Sequence, residues 1–73
     1  MGSTMTTVNI RDEFIKLGQA MKLSGAAETG ADAKVLIEEG EVTVNGQTET
    51  RRGKKLYDGD VFAYAGKEYV IKS

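Results

Sequence analysis

The chain of 73 residues has no cysteine and no histidine, and those two absences remove several function classes at once. There is no disulfide framework and no zinc site built from the usual ligands. There is also no imidazole base and no thiolate nucleophile. No glycine-rich phosphate loop carries the Lys-Ser/Thr ending that nucleotide hydrolysis requires. Catalysis would have to rest on isolated carboxylates, so a non-enzymatic protein without a cofactor is expected. No run approaches the roughly 20 apolar residues that span a bilayer. The N-terminus lacks a charged segment followed by an apolar one. These features point away from a membrane and towards the cytoplasm. No internal repeat, linker or low-complexity segment interrupts the chain, so residues 6–73 read as one domain behind a flexible tail at 1–5. A chain of this length buries only about 60–65% of the surface its unfolded form exposes, so the core must be thin.

What the chain does have is an uneven charge distribution. The net charge is −1 and the pI is near 5.3, which by themselves argue mildly against a nucleic-acid partner. The eleven acids are scattered, whereas Arg51-Arg52-Gly53-Lys54-Lys55 places four cations in five positions. Screening confines each charge to about 8 Å at physiological salt, so a local cluster outweighs the total. Clustered cations on a short loop suit phosphate recognition: arginine offers a planar fork for two oxygens, lysine a point charge. The competing explanation is a solvated loop that only aids solubility.

Local patterns place that loop within an α+β chain. Thr6 to Ile10 alternates, with Val8 and Ile10 apolar, as a first strand does. Asp12 is a candidate N-cap for a helix reaching about Leu23. Phe14, Leu17 and Met21 form its apolar stripe, with Lys16, Gln19 and Lys22 on the opposite side. Ser24-Gly25 ends it. A second helix starts at Thr29, which has capping-box spacing to Asp32. It buries Ala33, Leu36 and Ile37, exposes Lys34 and closes at Gly40. Val42 and Val44 alternate into Asn45-Gly46, a strong hairpin signal, and Gln47 to Thr50 returns weakly. Asp58-Gly59 forms a second turn, and Val61 to Tyr64 and Tyr69 to Ile71 flank Ala65-Gly66-Lys67 as a further hairpin. The architecture expected is two helices against one face of an antiparallel sheet of about four to five strands. The five aromatic residues read as core or half-core, Tyr57 alone lying beside the basic loop, where a base could stack. Asp58 and Asp60 read as a turn rather than a metal site, since no third ligand is near.

Taken together, Ile15 to Leu23, Ala33-Lys34-Val35-Leu36-Ile37, Glu39-Gly40-Glu41-Val42-Thr43-Val44-Asn45-Gly46 and Asp58-Gly59-Asp60-Val61 resemble the S-four RNA-binding domain, named for protein four of the small ribosomal subunit. Lys16-Leu17-Gly18-Gln19 together with the Arg51 to Leu56 segment is similar to the short stand-alone bacterial proteins built from this domain. The resemblance implies an alpha-L motif, two helices and a hairpin that grip structured RNA, ribosomal or transfer, with a monomeric protein. It carries the RNA-binding role to Arg51, Arg52, Lys54 and Lys55, with Lys34 and Lys22. Larger relatives open the second helix with a hydroxyl residue followed by arginine, where this chain has Thr29-Gly30-Ala31. Recognition by shape and phosphate is expected, as no base-stacking platform is evident in the sequence. The alternative is a protein-interaction adaptor that turns the same scaffold to an acidic partner, which the acidic pI favours.

Overall fold

The computed structural model describes residues 5–73. Their order is β1 (Met5–Asn9), β2 (Phe14–Lys16), α1 (Leu17–Ser24), α2 (Gly30–Glu38), β3 (Val42–Val44), β4 (Gln47–Thr48), β5 (Lys55–Tyr57), β6 (Val61–Tyr64) and β7 (Lys67–Lys72). Of the tail expected at residues 1–5, residues 1–4 lie outside the described residues, whereas Met5 belongs to β1, paired with Glu68.

The α+β class is the expected one, and the sheet is richer than expected. Five strands run in the order β1-β7-β6-β3-β4, and β2 with β5 forms a separate two-stranded ribbon. The main sheet is mixed rather than wholly antiparallel, because β1 lies parallel to β7, from Met5 beside Glu68 to Asn9 beside Lys72. The other pairings in it are antiparallel: β3 with β4 and β6 with β7 as hairpins, and β3 with β6 across a longer connection. Parallel strands need a long crossover. Here almost the whole chain is that crossover, so β1 returns to the last strand from the opposite terminus.

The turn chemistry follows the residues. Asn45 (φ 51°) and Gly46 (φ 86°) are both left-handed, as a type I′ hairpin turn requires. Asn45 is fixed further: its side-chain amide donates to Asp60 Oδ1 at 3.2 Å, and its Oδ1 accepts from the Val61 N–H at 3.0 Å. The second oxygen of Asp60 accepts from the Tyr57 N–H at 2.7 Å, while Asp58 Oδ1 accepts from the Ser73 N–H. Both acids thus tie turns together. Among the described residues no group of three or more His, Cys, Asp or Glu could hold a metal ion.

Between the helices and the sheet sits one core. Leu17, Met21, Ile37, Val42, Leu56, Phe62 and Ile71 are fully buried, and Phe62 stacks on Tyr69 with ring centroids 4.8 Å apart. Among the described residues no polar or charged residue is buried and no buried side-chain polar atom lacks a partner. The thin core therefore contains no desolvated charge to offset.

Candidate RNA-binding surface

The first helix begins later than its apolar spacing indicates, and the difference creates the site. Phe14 to Lys16 is not helical; it is β2, paired antiparallel with β5 so that Phe14 faces Tyr57, Ile15 faces Leu56 and Lys16 faces Lys55. Asp12 therefore caps nothing. Helix α1 starts at Leu17, with Lys16 extended before it and no side-chain cap. The first amide groups of a helix have no partner within it, and here the basic loop supplies them. The Leu17 N–H donates to the Lys54 carbonyl at 2.8 Å, and the Gly18 N–H to the Arg52 carbonyl at 3.0 Å. The backbone of Arg51 to Lys54 is thus strapped across the start of α1. The strap brings together residues more than thirty positions apart in sequence.

The side chains around that strap line an open groove of about 400 Å³, bounded by Lys16, Gly18, Gln19, Lys22, Gly30, Arg52 and Gly53. Three cations from three elements meet there: Lys16 from β2, Lys22 from α1 and Arg52 from the loop. Helix α2 presents its first residue, Gly30, to the same groove. Its start is capped by Thr29 Oγ1, which accepts from the Asp32 N–H at 3.0 Å. The N-terminal end of α2 adds a partial positive charge near the groove, whereas the first two amides of α1 are taken up by the Lys54 and Arg52 carbonyls.

The candidate residues are placed unequally. Arg52 and Lys22 line the groove. Lys54 is half-buried and joins through its backbone. Lys34 is exposed on α2, one turn beyond Gly30, and is not part of the groove lining. Lys55 lies on the ribbon, its Nζ 4.8 Å from the centre of the Phe14 ring. Arg51 is turned away: its Nε donates to Glu49 Oε2 at 3.0 Å, its Nη2 to Oε1 at 3.4 Å, and its backbone N–H to Oε2 at 3.0 Å. This is the only ion pair among the described residues. The side-chain hydrogen bond from Arg51 holds the Glu49 carboxyl below its ordinary value, and the same bond raises the affinity of Arg51 for its proton. One of the four loop cations is therefore partly neutralised and Lys54 also feels the Glu49 carboxylate at longer range, while Arg52, Lys55, Lys16 and Lys22 form no salt bridge among the described residues.

The sequence pattern puts Lys16 on the outward side of a helix, facing solvent or a phosphate partner, whereas it lies on β2. Its place in the groove depends on β2 pairing with β5, which no local pattern encodes. Lys16 and Lys55 also stand directly opposite each other, an arrangement of like charges that costs stability in an isolated ribbon.

Two helices, a mixed sheet and a strapped basic groove make this an alpha-L type fold of the kind found in the solution structure of YbcJ from Escherichia coli, whose alpha-L motif is involved in RNA-binding. The two superpose with a TM-score of 0.68 at 30% identity, covering 100% of this chain and 91% of that one. Residues 8–72 match the S4 domain, and the chain belongs to that family. It is 44% identical over 59 residues to the probable ribosome maturation protein RlbA of Bacillus subtilis, covering 81% of this chain and 83% of that protein. It is 42% identical over 57 residues to the putative RNA-binding protein YbcJ of Escherichia coli, covering 78% and 81%. These relatives are short bacterial proteins, each spanned almost throughout by the one domain.

Proposed function

We propose that this protein is a non-enzymatic, cytoplasmic, monomeric RNA-binding protein that grips folded RNA, ribosomal or ribosome-associated, by its phosphate backbone. The observation that carries the reading is the groove in which Lys16, Lys22 and Arg52 converge without an acidic partner among the described residues. Lys54, Lys55 and Lys34 extend the positive surface, and Arg51 contributes to the extent that Glu49 releases it. The names of the relatives, RNA-binding in one case and ribosome maturation in the other, support the same reading. Phosphates bridging Lys16 and Lys55 would turn an unfavourable like-charge pair into a favourable contact. Binding should be measured against ribosomal RNA fragments at low salt, for the native chain and for a form with Arg51, Arg52, Lys54 and Lys55 all changed to alanine. The expected result is a loss of at least about tenfold, since several phosphate contacts disappear; equal affinity contradicts the proposal.

The same cationic groove fits one other reading, an adaptor for an acidic protein partner. A pull-down with and without ribonuclease separates the two: RNA binding predicts that co-purifying material is lost on digestion, and an adaptor keeps its partner.

A further inference from the structure

The ribbon formed by β2 and β5 has two unlike faces. Side chains alternate along a strand, so Ile15 and Leu56 point to the core while Phe14, Lys16, Lys55 and Tyr57 share the outer face. Tyr57 is 43% exposed, one of the large apolar residues the fold leaves open. Its ring is braced from the side by Phe14, with centroids 5.9 Å apart and planes tilted by 46°. Lys55 lies over the Phe14 ring, and Phe14 is half-buried, so Tyr57 is the more open aromatic surface of the two. Lys16, on this same face, is also a wall of the basic groove. The aromatic surface and the groove are thus one continuous strip, joined by Lys16.

We propose that Tyr57 is a stacking platform for one unpaired nucleobase of the bound RNA, with Lys55 and Lys16 holding the flanking phosphates. The inference rests on the RNA-binding reading above and deepens it. Groove cations alone read backbone and shape, whereas a ring braced beside them selects RNA in which a base is free to leave its stack. A braced ring also loses little freedom on binding, because Phe14 already limits its motion. The backbone of Tyr57 is fixed as well, its N–H donating to Asp60 Oδ2 at 2.7 Å.

The test uses two RNA probes, a stem-loop with 2-aminopurine in its loop and a fully paired duplex of equal phosphate number, each titrated with the full chain at low salt. The native protein should bind the stem-loop more tightly and quench its 2-aminopurine emission. Tyr57→Leu, which keeps an apolar contact to Phe14, should weaken stem-loop binding by roughly 5- to 150-fold, abolish the quenching and leave duplex binding unchanged. Tyr57→Phe should behave as the native chain. Stem-loop affinity unaffected by Tyr57→Leu, or an equal loss on both probes, overturns the stacking role and leaves the phosphate reading intact. Failure of the native chain to bind either probe overturns the RNA reading itself, and the stacking role with it.

Discussion

Glu49 and Arg51 carry opposite consequences for stability and for binding. The carboxyl of Glu49 sits below its ordinary 4.5 because Arg51 donates to it. A depressed carboxylate contributes stability at pH values above its unfolded range, and that contribution is lost as pH falls through its folded value. Glu49→Gln should therefore lower the urea midpoint modestly near neutral pH, and the gap to the native chain should close as both are taken to acid. A gap independent of pH would show that the pair contributes nothing through ionisation. The same substitution releases Arg51 and removes a nearby negative charge, so RNA affinity should rise. Ala65 offers a second test at this scale. It is the one non-glycine residue besides Asn45 with positive φ among the described residues, at 54°, where a Cβ is strained. Ala65→Gly should stabilise the fold by up to about 1 kcal/mol in urea denaturation, the relief of strain outweighing the entropy glycine loses on folding.

Among the elements, the start of α2 is the most informative. Thr29 caps it through the Asp32 amide, so Thr29→Ala should cost about 1 kcal/mol, read as a lower urea midpoint. The next residue, Gly30, faces the groove, and a Cβ built there meets nothing within 4 Å. The resembling larger proteins carry arginine at that place. Gly30→Arg should fold, tighten RNA binding and steepen its salt dependence by nearly one further unit of log–log slope; weaker binding would show that the groove needs the space rather than the charge. Much of this element was legible in the sequence, because capping is local: Thr29 with Asp32, Gly25 left-handed at 84° after α1, and Asn45-Gly46 all behave as their residue types dictate. The start of α1 was not. Phe14, Leu17 and Met21 do fall at helical spacing, but Phe14 to Lys16 pairs with a strand about forty residues downstream, and that pairing overrides the local period. The parallel partnership of β1 with β7 was hidden for the same reason. As a result the basic loop was visible in sequence, while the groove it completes with Lys16 and Lys22 was not, and Tyr57 was expected to be more covered than it is.

On the scale of the whole molecule, an anionic chain presents a cationic surface. The acids with structural roles are spent on turns and on Arg51: Asp58 on the Ser73 amide, Asp60 on the Tyr57 amide and the Asn45 side chain, and Glu49 on the loop. The groove cations are left unpaired among the described residues. With a Debye length of about 8 Å at physiological salt, scattered acids elsewhere do little to cancel them. No helix among the described residues is long and apolar enough to cross a membrane. The groove, joined to the outer face of the ribbon, is the surface where charge, open aromatic area and converging helix starts coincide.

The most direct measurement is the salt dependence of binding to one ribosomal RNA fragment, for the native chain and for a variant with Lys16, Lys22 and Arg52 changed to alanine. Each phosphate contact contributes roughly 0.7 to 0.9 to the slope of log affinity against log salt, so the variant should lose about two to three units of slope. Removing these three cations without any change in slope would contradict the claim that they contact the RNA backbone.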